Sequence, residues 1–168
     1  ERESMSKART EPRSTIVARK RPQPKHRDAD RTRKRLLDAA EAIFAKSGLE
    51  AASTEAISRR AGVSKTMLFY YFQSKEQLYL AVLERVYGEI RDAERGLELD
   101  HLPPIDAIRR IVEFTYDYYV GHEYFVRLVV AENQAKGRLM KRSATLRTVN
   151  RPIVEMLSTV IARGQADG

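Results

Sequence analysis

The chain has 168 residues, with 31 Lys+Arg against 23 Asp+Glu and a formal net charge of +8. A chain of this length hides roughly 70% of its unfolded surface on folding, enough for a real hydrophobic core in one or two domains. No apolar run approaches the ~20 residues that span a bilayer, no secretory signal is visible, and the absence of cysteine excludes disulfides, thiol nucleophiles and thiolate metal sites, which together fit a cytoplasmic protein with no membrane partner.

The charge is unevenly placed. Residues 1–28 carry nine basic and four acidic side chains, and residues 29–75 nine and five. Residues 76–168 carry thirteen and fourteen, so the first 75 residues hold the whole excess. A polyanionic partner is expected for that part. Residues 1–28 have no aromatic residue and three prolines, Pro12, Pro22 and Pro24. Such a stretch buries too little apolar surface to fold and reads as a disordered basic arm. It serves either as a solvated tail or as an arm that follows DNA phosphates.

From Asp30, a candidate N-cap, the pattern is helical: Leu36, Ala40, Ile43 and Phe44 share one face, and Gly48 ends the run. Ser53 is placed to cap a short helix that Gly62 ends, and Ser64 to cap a second, from Lys65 to about Tyr71. Helices this short are marginal alone and need to cross on each other and on the first helix, which is the layout of a helix-turn-helix over residues 29–75. Ser74 with Gln77 predicts a capping box opening a long helix. That helix carries two apolar stripes, Leu78/Val82/Val86/Ile90 and Tyr79/Leu83/Tyr87, and so contacts both halves of the protein. A fifth helix is expected to bury Ile105, Ile108, Val112, Thr115 and Tyr119, and to break at Gly121. A sixth begins near Glu123 with Phe125, Leu128 and Val129. The stretch Gln134 to Ser143 reads as loop or frayed helix ends, and a last helix carries Val149, Ile153, Met156, Leu157, Val160 and Ile161, with Pro152 in its first turn or kinking it. No strand pattern appears, so the fold class is all-α.

The run from Ala61 to Leu78, AGVSKTMLFYYFQSKEQL, resembles the signature of the TetR family of bacterial transcriptional regulators. Ala39-Ala40, Phe44, Gly48, Ser53-Thr54 and Ile57 fit the same pattern, and a weaker likeness runs through residues 125–129 and 150–152. The resemblance implies three N-terminal helices that bind double-stranded operator DNA as a homodimer. It implies a helical effector-binding and dimerisation domain over residues 76–168, with a small-molecule effector, of unknown identity, releasing the DNA. Family members continue for two further helices that build the dimer interface, so these 168 residues are expected to lack them.

Within that frame the candidate DNA-binding residues are Ser53, Thr54, Lys65, Thr66, Met67, Phe69, Tyr70, Tyr71 and Lys75. Lys65 is placed to reach a phosphate or a guanine edge, and Thr54 to meet a phosphate at a helix start. Tyrosine hydroxyls donate to phosphates, and Met67 and Phe69 suit thymine methyl groups. Lys75 is expected to clamp the same strand. Leu68 and Phe72 face inward. Thr66, Met67 and Phe69 depart from the Gly, Thr and Tyr common at those places in the family, which changes the bases read and not the fold.

Phe114, Tyr116, Tyr118, Tyr119, Tyr124 and Phe125, with Tyr87 and Met140, suit either a pocket for a flat ligand or ordinary core. His26, His101 and His122 are scattered, and no phosphate loop or catalytic set is visible, so neither enzyme activity, metal nor cofactor is expected. A competing reading is a helical scaffold whose helix-turn-helix is only structural; the exposed Lys65, Tyr70 and Tyr71 separate the two.

Overall fold

The computed structural model describes residues 24–167, with side-chain surroundings from Asp28 onward. Residues 1–23 of the arm expected over residues 1–28 lie outside the described residues. Eight α-helices and one 3₁₀ turn, with no strand among the described residues, make the fold all-α.

Helix α1 (Pro24–Ala51) starts inside the segment assigned to the arm, six residues before the expected cap at Asp30. Proline is tolerated in a first helical turn, where its missing N–H has no partner to lose. Asp28 continues the helix instead of ending it: its carboxylate takes Arg31 at 3.1 Å and its carbonyl takes the Thr32 hydroxyl at 2.9 Å. Gly48, at φ 71° and ψ 175°, interrupts α1 near its end. The buried face is Leu36, Leu37, Ala40 and Phe44, with Ile43 half-buried.

The short helices α2 (Thr54–Ala61) and α3 (Lys65–Phe72) form as their caps predict. Ser53 Oγ accepts from the Ala56 N–H at 3.2 Å, and Ser64 Oγ from the Met67 N–H at 3.2 Å. Gly62 is left-handed, at φ 65°, and the Val63 N–H returns to the Ser58 carbonyl at 3.0 Å. Helix α4 (Lys75–Arg95) begins with the Gln77 N–H on Ser74 Oγ at 3.1 Å. The expected reciprocal half of the capping box is absent, because the Ser74 N–H closes on the Phe72 carbonyl in the tight turn after α3.

Both predicted stripes of α4 are buried. They join one core that runs from Leu36 and Phe44, through Leu68 and Val82, to Leu128 and Leu146. Phe44 meets Tyr79 edge-on at 5.0 Å. The predicted boundary at residue 75 therefore crosses continuous packing.

Helix α5 (Pro104–Gly121) turns a different face inward from the one expected. Ala107 and Ile111 are buried, with Phe114 and Tyr118 partly so, while Ile105 and Val112 are 66% and 61% exposed. Two apolar faces compete on this helix, and packing against α8 (Arg151–Ala166) selects the one holding Ala107, whose small side chain permits close approach. Their shared cluster is Leu97, Leu99, Ala107, Ile111 and Val160. Arg163 of α8 donates to the Leu102 carbonyl and, at 3.3 Å, to that of Leu99.

Helix α6 (Glu123–Gln134) buries Phe125 and Leu128 as expected. The stretch expected to be loop contains the 3₁₀ turn Met140–Arg142, and a short helix follows it, α7 (Ala144–Thr148), which the sequence pattern did not reveal. Ser143 caps it and donates to Glu84 of α4 at 2.6 Å. Pro152 sits in the first turn of α8, where it does not kink the helix.

Candidate nucleic-acid interface

Three helices hold the candidate interface. Leu68 and Phe72 of α3 and Ile57 and Ala61 of α2 enter the core, which fixes how α3 is rotated about its axis. Arg35 of α1 reaches the corner between the short helices and donates to the Gly62 carbonyl at 3.1 Å. With its inward side chains committed, α3 presents Lys65, Thr66, Met67, Phe69 and Tyr70 to solvent. Tyr70 is 75% exposed and meets Tyr71, half-buried, edge-on at 5.4 Å. The Lys65 ammonium stands 5.9 Å from the centre of the Phe69 ring.

At the N-terminus of α2, Ser53, Thr54 and Lys65 converge on Glu55, which is not among the residues the sequence pattern singles out. The Glu55 carboxylate accepts from the Ser53 hydroxyl at 3.0 Å, the Thr54 hydroxyl at 3.3 Å and the Lys65 ammonium. The Lys65 hydrogen bond, aided by a backbone N–H and by Ser53, holds the Glu55 carboxyl down to about 2. An acidic residue in a first helical turn is ordinary by sequence, and nothing in its spacing ten residues before Lys65 signals the contact. Lys75 behaves differently from the rest of the set. Its ammonium is held on the carbonyls of Glu50 at 3.1 Å and Ala52 at 3.3 Å, tying the start of α4 to the α1–α2 link.

These nine residues thus divide in space. Ser53, Thr54 and Lys65 gather around Glu55, Thr66, Met67, Phe69 and Tyr70 form an open face with Tyr71 behind them, and Lys75 is engaged with backbone.

A salt-bridged cluster links this head to α4. Arg85 binds Asp38 at 2.6 Å and Glu41, both on α1. Burial raises the Asp38 carboxyl, but the hydrogen bonds from Lys34 and Arg85 outweigh it and leave the group below its ordinary value. Beside this cluster, a cavity of about 320 Å³ opens between α1, α4 and the α5–α6 corner, lined by Glu41, Glu89, Tyr118, His122 and Phe125 among others. Tyr118 stacks on His122 at 3.8 Å and meets Phe125 edge-on at 5.6 Å. The expected aromatic cluster is therefore split: Tyr118, Phe125, Tyr87 and Phe114 pack together, and Tyr116 is 69% exposed.

The family model described as "Bacterial regulatory proteins, tetR family" matches residues 36–82, and "Tetracyclin repressor-like, C-terminal domain" matches residues 104–168. The regulator UidR of Escherichia coli is 32% identical over 145 residues, covering 84% of this chain and 70% of UidR. The chain belongs to the TetR family. Another relative, the transcriptional repressor NicS of Pseudomonas putida, is 41% identical over 140 residues, covering 83% of this chain. This TetR-family chain spans 66% of the length of NicS. A crystal structure of a TetR family transcription regulator from Marinobacter aquaeolei superposes with a TM-score of 0.69 at 22% identity, over 86% of this chain and 73% of that one, which shows the shared fold.

Proposed function

We propose that this TetR-family chain binds double-stranded operator DNA through α2 and α3, acts as a homodimer in the cytoplasm, and represses transcription until a small-molecule effector releases it. The observation that carries this is the open face of α3. Two apolar side chains, Leu68 and Phe72, are sunk in the core, while Lys65, Thr66, Met67, Phe69 and Tyr70 stand out together. A helix-turn-helix that served packing alone would have no use for this set, which speaks against a purely structural role. Lysine suits a phosphate or guanine edge, threonine and tyrosine hydroxyls suit phosphate, and the methionine and phenylalanine suit thymine methyls. The excess charge in residues 1–75 supports a polyanionic partner. The names of NicS and UidR supply the regulatory role. For the effector, support comes from the cavity walled by Tyr118, His122 and Phe125, which touches α1 and α4 at once. A ligand there bears on the helix that carries the head.

Selection of duplexes from a random library tests the reading. The expected product is a partly palindromic site with half-sites about one helical turn, 34–36 Å, or a multiple apart. Its affinity falls steeply with salt, by roughly 0.9 log units per log unit of salt for each phosphate neutralised. Failure to enrich any sequence between about 50 and 200 mM salt would overturn it.

A further inference from the structure

We propose that Glu55 is a specificity-determining residue, whose carboxylate occupies the DNA-phosphate position on the donors at the α2–α3 corner and so weakens binding to sequences the protein does not read. This rests on the proposed role of α2 and α3 in binding DNA.

The contacts argue for it directly. Three side-chain donors at that corner, the Ser53 hydroxyl, the Thr54 hydroxyl and the Lys65 ammonium, all point to the one carboxylate. They supply the kind of charge-assisted set that cradles a phosphate. Glu55 and Lys65 are 56% and 49% exposed, so an incoming backbone reaches the same place. A phosphate arriving there finds its donors taken and meets a negative charge instead of a vacancy.

The consequence differs between two kinds of complex. On unread DNA the protein is held by phosphates alone, and a phosphate that engages Lys65 must displace Glu55. On a matched site Lys65 reaches a guanine edge, whose N7 and O6 are uncharged acceptors that tolerate a neighbouring carboxylate. Glu55 therefore acts against the first complex more than the second, and discrimination is gained by repelling the wrong partner.

The experiment compares wild type, Glu55→Gln, Lys65→Ala and the double variant by fluorescence anisotropy. The probes are a random-sequence duplex of about 30 base pairs and the best duplex that wild type selects from a random library, each titrated from about 50 to 200 mM salt. Glu55→Gln is expected to bind the random duplex roughly fivefold more tightly, with a salt slope steeper by about one phosphate, and the selected duplex less than about twofold more tightly. In the Lys65→Ala background the gain falls below about twofold, because only relief of the carboxylate's own repulsion remains. Glu55→Ala, with no acceptor left, shows the same direction, and thermal midpoints confirm that every variant is folded. Equal gains on both duplexes, no gain, or weaker binding to both would overturn the inference while leaving the operator reading intact. A wild-type protein that prefers no duplex overturns both.

Discussion

Arg35 on α1 donates through Nη2 to the carbonyl of Gly62, at 3.1 Å and twenty-seven residues further along the chain. The glycine is left-handed, at φ 65°, and a Cβ built on it collides with that guanidinium. One residue thus supplies both the backbone turn and the space for the arginine that fastens it. Gly62→Ala should lower stability by about 1–2 kcal/mol, because an L side chain is strained at that φ and the arginine must swing away. Chemical denaturation should show a lower midpoint with an unchanged slope. An unaltered midpoint would mean the turn is not fastened as described.

Arg85 carries a comparable link between α4 and α1. Replacing it with methionine leaves Asp38 and Glu41 without their shared cation. The expected loss is about 1–2 kcal/mol, less than for a fully buried pair because Asp38 is half exposed. The effect has a pH signature. Asp38 titrates below its ordinary value of 3.8 in the folded protein. Its contribution is therefore complete above that value and is lost as pH falls through the lower folded one. Acid unfolding monitored by circular dichroism should begin in that range in wild type, and Arg85→Met should flatten the dependence there.

On the open face of α3, stability and binding should separate. Tyr70→Phe and Lys65→Ala should leave the thermal midpoint within about 2 °C, since surface changes of this kind act within roughly half a kcal/mol. Tyr70→Phe should weaken binding to a selected duplex about two- to tenfold through the lost hydroxyl. Lys65→Ala should weaken binding to a selected duplex with little change in the salt slope, because its ammonium is held by Glu55 on unread DNA and meets an uncharged guanine edge on a read site. A drop in melting temperature for Tyr70→Phe would place its hydroxyl in the fold instead of the interface.

The neighbouring inward positions should behave in the opposite way. Leu68→Ala empties a fully buried site and should cost about 2–5 kcal/mol in denaturant unfolding. Phe69→Ala, one residue along and 36% exposed, should cost far less. Similar losses for the two would contradict the rotation of α3 about its axis.

Where the chain's chemistry is local, the sequence alone was informative. Ser53, Gly62 and Ser64 announce the two short helices because a cap acts within three or four residues. Leu68 and Phe72 announce the inner face of α3 because their spacing matches a helical turn. The sequence points to Asp30 for the start of α1, whereas the helix begins at Pro24, since proline permits a first helical turn as readily as it breaks a later one. The inward face of α5 is not legible in the sequence because both of its faces are apolar, and the choice between them is made by α8, some fifty residues away. The sequence pattern signals neither the Glu55 contact with Lys65 nor the Glu50 and Ala52 carbonyls that hold Lys75. Both contacts join residues separated in sequence, so periodicity carries no trace of them.

The edge-on contact of Phe44 with Tyr79 has a consequence for how such a protein is handed on or rebuilt. A three-helix head severed at residue 75 would lose the ring on which its first helix leans, together with Val82 and Leu83 behind it. A cut after α4 would still remove Phe125 and Leu128 of α6 from the same core. Any chimera that exchanges the helices beyond Arg95 must therefore supply side chains that replace those two.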